Sequence, residues 1–297
     1  MTSVNIMALR HSAFYSPLLM TMAGGFLREV GLEYTYQVAT PVLTIEKQID
    51  AGKCHLAQSA VATSFAKLES GQPTTLRHFA QINVRDGFFI VARNKTDNFQ
   101  WHNLIGKEVL VDHFFQPYAM LNYGLKQTGM DINQLNVIDA GDVSEIESAF
   151  RNGTAEYAHM QGPVPQQLEA EGIGYVVAAV GDLIGPVAFS SLVADMTWLQ
   201  TDMASQFIEA YKKSRAYVIA AAASDIAQQM LDAGFFPDID QDVLVDTVNA
   251  YQQLGCWSNN INISQQAYET LLDVFEYSGR ISQRFPYDSV ITPVTNA

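Results

Sequence analysis

The sequence predicts an α/β protein of two lobes with a helical C-terminal region. Up to Val180, short apolar segments alternate with amphipathic stretches, which is the pattern of mainly parallel sheets with helices between the strands. From Thr197 to Ser278, apolar residues recur at the i, i+3, i+4 spacing of helices. A weak repeat relates Ile49–Gly71 to Phe150–Gly172, which indicates two lobes built on one plan.

The strands and helices follow from these patterns in chain order. Nine segments have the length and apolar content of strands: Val4–Leu9, Glu33–Val38, His55–Gln58, Leu76–Ile82, Phe88–Ala92, Val109–Asp112, Asn136–Asp139, Tyr157–Met160 and Tyr175–Val180. Amphipathic stretches predict helices at Leu18–Val30, Thr44–Ala51, Tyr118–Thr128, Met203–Ala222, Ser224–Ala233, Asp240–Leu254 and Ser264–Ser278. Four polar residues have the position of N-caps for the last four helices: Asp202, Ser224, Asp240 and Ser264.

The composition excludes several classes of protein. The 297 residues suffice for about two domains, and a content of 48% hydrophobic and 16% charged residues excludes a disordered chain. The net charge of -14 argues against partners with phosphate backbones or anionic lipid surfaces. No apolar run is long enough for a transmembrane helix, and Cys54 and Cys256 provide neither a disulfide framework nor a zinc motif.

The repeat predicts where a ligand binds. Its two copies each contain a pair of glycines 19 positions apart, Gly52 with Gly71 and Gly153 with Gly172, which we interpret as helix caps around a strand, a loop and a helix. Chance recurrence is the alternative, because glycine caps are common. Six residues after the first glycine of each copy come Gln58 and His159, at the end of a strand. Since ligands bind beyond the carboxyl ends of such strands, we expect Gln58 and His159 to face each other across one cleft.

Four segments resemble a known family. They are Phe14–Pro17 with Gly25–Leu32, Ala51–Gly71, Asn103–Val109 and Asn152–Gly172. In order and spacing they resemble the type II periplasmic binding proteins that take up nitrate, sulfonates, taurine and pyrimidine precursors of thiamine, a group that also contains the fungal thiamine-pyrimidine synthase. The resemblance implies the periplasmic-binding-protein type II fold, in which two α/β lobes are joined by two crossings. It assigns residues 1–90 and 190–297 to lobe one and residues 91–189 to lobe two, with the ligand cleft between them.

Some positions depart from the family pattern. His55 and Glu156 stand where the family usually has Asp, three residues after the first glycine of each repeated element. Ser59 and Thr63 stand at the positions of the lysine and histidine of the synthase, and the chain has no cysteine cluster. These differences argue against the chemistry of the synthase.

The family's ligand loops, carried over residue by residue, give the candidate ligand-binding residues. They are His11, Ser12, Phe14, Tyr15, Gln58, Ser59, Asn83, Asp86, Asp112, His113, Phe114, Gln116, His159, Gln161, Gly162, Asp182 and Gly185. Each also has a purely structural interpretation.

Those structural interpretations differ from residue to residue. His11 has the position of a surface or capping histidine, and Phe14 and Tyr15 that of rings packed on the first helix. Asp112 and His113 have the position of caps for the next helix. His159 is compatible with a hydrogen-bonded core histidine, and Asp86 with a turn before Gly87.

The predicted loops contain no lysine or arginine except Arg10 and Arg85 at their edges. Sulfonate and nitrate are bound well by backbone or basic donors. Loops rich in histidine, amide, carboxylate and aromatic side chains instead suit a flat, neutral or weakly basic heterocycle, with Tyr15 or Phe114 stacking on it.

The resemblance therefore implies a solute-binding protein of an ABC-type uptake system, for which we expect no metal or cofactor. Its expected ligand is a small heteroaromatic such as a thiamine pyrimidine precursor, or a sulfonate-like compound. The alternatives are a cytosolic enzyme or a ligand carrier of thiamine or pyrimidine-precursor metabolism with the same fold. No nucleophile-elbow, P-loop or zinc-protease motif is present, although His11, Asp112, His113 and Asp182 leave a catalytic or metal cluster open.

The expected partners and compartment follow from the same reading. We expect a monomer that binds a small molecule and an ABC permease, without nucleic acid or insertion into a membrane. No signal-peptide pattern precedes the strand at Val4, so the chain as given is expected in the cytoplasm. The alternative is the periplasm, if an export signal has been removed.

Overall fold

The computed structural model describes residues 2–72 and 74–294. Ten strands of these residues form two five-stranded sheets, with the orders β2-β1-β3-β10-β4 and β7-β6-β8-β5-β9. The strands are β1 Thr2–Ala8, β2 Leu32–Val38, β3 Leu56–Ser59, β4 Leu76–Asn83, β5 Phe88–Ala92, β6 Glu108–Leu110, β7 Asn136–Ile138, β8 Tyr157–Gln161, β9 Tyr175–Ala179 and β10 Ser190–Asp195. In both sheets the fourth strand in the order, β10 or β5, runs antiparallel to both of its neighbours. The two sheets therefore have the same topology.

The chain passes between the two sheets twice. It leaves the first sheet after β4, at Asn83, and enters the second with β5, at Phe88; it returns to the first sheet with β10, at Ser190. The two crossings are joined by a hydrogen bond of 2.8 Å from the Val187 amide to the Val84 carbonyl. We call each sheet with its helices a lobe. The predicted boundaries fall inside β5 and directly before β10, and the predicted range of lobe one also includes residues 1, 73 and 295–297, which lie outside the described residues.

Thirteen α-helices connect and cover the strands within the described ranges. They are α1 Ser16–Ala23, α2 Phe26–Glu29, α3 Ile45–Asp50, α4 Ala62–Glu69, α5 Phe115–Gln127, α6 Val143–Arg151, α7 Val164–Ala170, α8 Gly181–Ile184, α9 Asp202–Ala220, α10 Ala223–Asp232, α11 Gln241–Gln253, α12 Gln265–Tyr277 and α13 Tyr287–Val290. The single helix predicted at Leu18–Val30 is instead two helices, because Gly25 has a φ of 78° and ends the first one.

Every predicted strand overlaps an observed one, and one strand was not predicted. Ser190–Asp195 forms β10, which lies between β3 and β4 and is almost wholly buried. Its partners are more than 100 residues away in the sequence, as in the pair of Leu192 with Ala80. This pairing depends on the second crossing, so the local sequence pattern carries little sign of it.

The structure confirms that the repeat has one backbone plan. All four glycines have positive φ, and each follows the last turn of α3, α4, α6 or α7. After each glycine, the next amide bonds to the carbonyl five residues earlier, at 2.9–3.0 Å, which is the Schellman arrangement. The strands inside the two copies also pair alike, since β3 is parallel to β1 and β8 is parallel to β6.

The lobes touch along both flanks. On one flank α5 packs on α12, where Phe115 lies 5.0 Å from Phe275 between ring centroids. On the other flank α7 packs on α11. A buried apolar cluster continues from the first sheet across to the second lobe and includes Phe14, Phe88 and Phe189. No helix in the described ranges has the length and apolar character needed to cross a membrane.

Candidate functional site

An ion pair joins the two lobes at the ends of two equivalent strands. Arg10 follows β1 and Asp112 follows β6, and these strands hold the same place in their two sheets. The Arg10 guanidinium donates to both Asp112 carboxylate oxygens, at 2.6 and 3.3 Å. Asp112 also accepts from the Phe114 amide at 2.8 Å, and the guanidinium lies 4.6 Å from the centroid of the Phe114 ring. The arrangement holds the two strand ends together.

A narrow cavity of about 40 Å³ lies beside this pair, between the lobes. One water needs about 10–15 Å³ of such space, so the cavity has room for only a few waters in this arrangement of the lobes. Five predicted site residues line it: Tyr15, Gln58, Phe114, Gln116 and Gln161. The rest of the lining comes from Leu9, Arg10, Ala60, Phe88, Pro117, Phe189 and Ser190.

The polar groups of the cavity are mainly amides. The Gln58 Oε1 accepts from the amides of Leu9 and Arg10 at 2.9 and 3.1 Å, which fixes the turn after β1. The Gln116 amide nitrogen donates to the Phe189 carbonyl at 2.9 Å, but its Oε1 has no hydrogen-bond partner within the described chain. The Gln161 Nε2 is also buried without a described partner. One buried acceptor and one buried donor beside the cavity thus lack a hydrogen bond within the described chain, although buried polar groups are normally paired.

Aromatic rings surround these amides. Tyr15, Phe88 and Phe189 line the cavity, and the buried Phe14 ring packs on Tyr15 and Phe189 at centroid distances of 5.6 and 5.4 Å. Burial raises the pKa of the Tyr15 hydroxyl, so this side chain is neutral at pH 7. The cavity therefore combines flat apolar walls with neutral hydrogen-bonding groups.

A larger groove of about 530 Å³ lies on the other side of Arg10 and Phe114. It is formed mostly by the first lobe, at the ends of β1, β2 and β3, where Leu9, Ala39 and Ser59 line it. Ser59, a predicted site residue, bonds to Thr63 at 3.1 Å between their hydroxyls. The groove and the cavity share Leu9, Arg10 and Phe114 as walls.

The predicted site residue His159 lies behind the cavity rather than at its wall. His159 is fully buried and stacks on Phe88 at 4.6 Å, and neither ring nitrogen has a hydrogen-bond partner in the described residues. Gln161, two residues later on the same face of β8, reaches the cavity instead. The strand extends to Gln161, one residue beyond its predicted end at Met160. The cavity is therefore lined by Gln58 and Gln161, and the expectation that His159 faces Gln58 across the cleft is wrong.

The crossing segment also carries predicted residues. The Asn83 amide nitrogen donates to the Phe14 carbonyl at 2.7 Å. Asp86 accepts from the Phe88 amide at 2.6 Å, and burial raises the pKa of its carboxyl group to about 8. Asn83 thus ties the end of β4 to the loop after β1, while Asp86 fixes the turn that leads into β5. Gly185 lies in the other crossing with a φ of 74°.

Two more predicted residues join the lobes. The Ser12 hydroxyl donates to the Gly162 carbonyl at 2.6 Å, while the Gly162 amide donates to the Tyr251 hydroxyl at 2.8 Å. Gly162 has no room for a side chain, because a Cβ would lie 2.8 Å from atoms of Thr247 and Tyr251. This contact fastens the loop after β8 to α11.

Three predicted residues are engaged away from the cavity. His11 bonds to the Tyr36 hydroxyl and the Phe235 carbonyl, at 2.9 and 2.7 Å, within the first lobe. His113 bonds to the Val111 carbonyl at 2.8 Å. Asp182 is exposed and lies 4.0 Å from Arg85. His11, Asp112, His113 and Asp182 therefore do not form one cluster, and no group of three or more His, Cys, Asp or Glu in the described ranges is placed to hold a metal ion.

Sequence reasoning left several cavity residues out. Arg10 was placed at the edge of its loop, and its partner Asp112 is 102 residues away, so the ion pair has no local signal. Phe88 and Phe189 come from the ends of the two crossings. The position of Arg10 directly after a strand end was the available signal for one of them.

Comparison with known proteins identifies the family. The sequence profile described as "NMT1/THI5 like" matches residues 13–223. The chain belongs to this family. YtlA of Bacillus subtilis (strain 168) is 27% identical over 295 residues, covering 98% of this chain and 88% of YtlA.

Solved structures share the fold over the whole chain. The ligand-binding component of an ABC-type import system from Staphylococcus aureus, with zinc bound, has a TM-score of 0.76 and 17% identity, covering 99% of this chain and 97% of that one. The alkanesulfonate-binding protein SsuA from Xanthomonas axonopodis pv. citri, bound to MOPS, has a TM-score of 0.74 and 12% identity, covering 99% of both chains. These similarities confirm the predicted periplasmic-binding-protein type II fold and the resemblance to this group.

Proposed function

We propose that this chain is the solute-binding component of an ABC-type import system and that its solute is a small, neutral, flat heteroaromatic molecule. The family and the fold support the first part, because structures with this fold include ligand-binding components of such systems. The residues of the inter-lobe site support the second part. In this role the protein binds the solute between its lobes and presents the closed form to a permease.

The observation that carries the choice of a neutral solute is the pair of Arg10 and Asp112. Arg10 is the one cationic side chain of the described cavity lining, and Asp112 holds it at 2.6 Å. An anionic solute would have to take Arg10 away from Asp112, whose side chain is only 5% exposed. Because Asp112 already neutralises the guanidinium, an anion gains less from Arg10 than from an unpaired cation, so a sulfonate or nitrate starts at a disadvantage.

The free amide groups favour a ring with a nitrogen next to an amino group. The Gln161 Nε2 is a donor for a ring nitrogen, and the Gln116 Oε1 is an acceptor for an amino group. Tyr15, Phe88 and Phe189 provide the faces against which such a ring packs. Aminopyrimidines combine these two features in one small molecule.

Binding requires the lobes to separate. The cavity of about 40 Å³ is far smaller than the range of about 300–1,000 Å³ that is usual for small-molecule sites. The segments at 84–87 and 185–189 are the two connections between the sheets, so opening about them exposes Gln58 on one wall and Gln116 on the other. Closure then brings both walls onto the solute.

A thermal-shift and calorimetric panel tests the proposal. The probes are 4-amino-2-methylpyrimidine, ethanesulfonate, taurine, nitrate and bicarbonate, each with the full chain. We expect the pyrimidine to stabilise the protein, by about 2.7 kcal/mol at a concentration of 100 times its Kd. A response to the sulfonates without a response to the pyrimidine would contradict the proposed solute class.

Matched variants test whether the pyrimidine binds at the amides of Gln116 and Gln161. Gln116→Ala and Gln161→Ala should each weaken pyrimidine binding by up to about a hundredfold, since an unsatisfied buried partner costs about 1–3 kcal/mol. Gln37→Ala, on the exposed side of β2, is the control and should bind as the unaltered chain does. Equal affinities of all three variants would show that the pyrimidine binds elsewhere.

A further inference from the structure

The groove of the first lobe has the room that the inter-lobe cavity lacks. Its volume of about 530 Å³ lies in the usual range of small-molecule sites, whereas the cavity has about 40 Å³. The two spaces are neighbours, separated by the side chains of Arg10 and Phe114, which line both. A solute held at the amides therefore has a larger space directly beside it.

Both lobes contribute to the groove. Leu9, Ala39 and Ser59 come from strand ends of the first lobe, while Phe114 belongs to the second lobe and is 50% exposed. The Phe114 ring rests on the Arg10 guanidinium without a covering side chain on its exposed part. A molecule in the groove thus touches the second lobe as well, so its binding favours closure.

The charges around the groove cancel one another. Glu46 and Lys67 form an ion pair of 2.7 Å, and Arg10 is held by Asp112. His78 is fully buried, with hydroxyls of Ser64 and Ser191 at 3.1 and 2.7 Å from its two ring nitrogens. Burial lowers the pKa of His78 to about 3, which keeps the imidazole neutral. Every ionisable side chain in the described lining thus has a partner, and the remaining walls are apolar or hydroxylated.

We propose that this groove is a second compartment of the solute site and takes an uncharged, mainly apolar arm of the solute. The heteroaromatic head meets the amides of the cavity, and the arm passes Phe114 into the groove. This assignment of the head rests on the proposed function, whereas the assignment of the groove rests on its own volume and lining. The solute class is then a flat heterocycle with an apolar substituent.

A pair of pyrimidines that differ only in chain length tests the groove. We expect 4-amino-2-hexylpyrimidine to bind the full chain at least about tenfold more tightly than 4-amino-2-methylpyrimidine, since each buried methylene contributes about fourfold in affinity. Thr63→Phe fills the groove from the start of α4 and should bring this ratio close to one. Ala39→Phe is a second filling variant, from the end of β2, and Thr154→Phe on the exposed surface of the second lobe is the control that keeps the ratio.

The outcomes separate the groove from the proposed function. Equal affinities of the two pyrimidines for the unaltered chain, or an unchanged affinity ratio in both filling variants, would overturn the assignment of the groove to an apolar arm. The assignment of the heteroaromatic head to the cavity would be unaffected. If neither pyrimidine binds, the head assignment fails, and the neutral fluorophore 1-aminoanthracene tests the groove alone. Its fluorescence should rise with the unaltered chain and with Thr154→Phe but not with the filling variants; no rise, or an equal rise in all four proteins, would overturn the proposal.

Discussion

The two copies of the repeat share a backbone but differ in what surrounds them. In the first copy, β3 ends at Ser59, and the following residues, including Thr63, border the groove. In the second copy, β8 ends at Gln161, and the following Gly162 is packed against Thr247 and Tyr251 of α11. The comparison teaches that the shared plan brings both strand ends to the cleft, while the neighbouring helix decides which end leaves space for a ligand.

The residues at equivalent strand positions differ in the same way. Gln58 of the first copy uses its side chain to hold the amides of Leu9 and Arg10 at the cavity. Its counterpart His159 is buried under Phe88 without a hydrogen-bond partner in the described residues. The equivalent positions of Gln58 and His159 in the repeat therefore predicted the strand position of both residues. They predicted a place at the cavity correctly only for Gln58.

Breaking the ion pair between the two sheets should have the largest effect. Arg10→Met removes the cation that joins the end of β1 to Asp112, and the nearly buried Asp112 carboxylate is left without its partner. We expect a shift of the open–closed equilibrium toward the open form by about 2–5 kcal/mol. Small-angle X-ray scattering should show a larger radius of gyration for Arg10→Met than for the control Arg28→Met, an exchange on α2 outside the inter-lobe contact. Equal radii would mean that the flanking helices alone hold the lobes together.

The two lobes should also differ in how much a buried histidine, His78 or His159, contributes to the free energy of unfolding. His78→Leu in the first lobe leaves the Ser64 and Ser191 hydroxyls without their partner, so we expect a loss of about 2 kcal/mol or more in unfolding free energy at pH 7.5. His159→Leu in the second lobe removes no hydrogen bond and should cost less than about 1 kcal/mol. Urea denaturation of both variants measures this, and a larger loss for His159→Leu would reverse the roles given to them.

The pH dependence of His159 adds a second readout. Burial lowers the pKa of this imidazole from 6.5 to about 4, so the unfolded chain binds the proton first as the pH falls. The contribution of the neutral histidine is complete above pH 6.5 and is lost between pH 6.5 and pH 4. Relative to the unaltered chain, His159→Leu should therefore gain about 2–3 kcal/mol over this interval, which urea denaturation at several pH values would reveal. A constant difference would place a proton acceptor beside His159.

A substitution after each repeated strand has the smallest expected effect. Gly162→Ala brings a Cβ within 2.8 Å of Thr247 and Tyr251 and should lower the unfolding free energy by about 1–3 kcal/mol. Thr63→Ser, on the exposed start of α4 in the first copy, keeps the hydroxyl that bonds to Ser59 and should stay within about 0.5 kcal/mol. Similar losses in both variants, measured by thermal denaturation, would contradict the difference in packing between the two copies.

The sequence predicted what depends on local pattern. Alternating segments, the helical tail and the glycine caps specified the lobes, and the loop after β1 and the last residues of β3 supplied Tyr15 and Gln58 of the cavity. Contacts between distant parts of the chain had no such signal. Arg10 meets Asp112 across 102 residues, and β10 pairs inside the first sheet only after the chain has returned through the second crossing. Side-chain direction was equally hidden, since His11 bonds to Tyr36 and Phe235 although it follows the same strand as Arg10.

The identity of the bound solute tests the account most directly. Freshly purified full-length chain is denatured, and the released small molecules are analysed by mass spectrometry with ultraviolet detection. The neutralised Arg10–Asp112 pair, the free amides of the cavity and the uncharged groove predict a stoichiometric compound that is uncharged at pH 7, absorbs as a heteroaromatic and carries an apolar substituent. Stoichiometric release of a sulfonate, nitrate or another anion without an aromatic ring would contradict it.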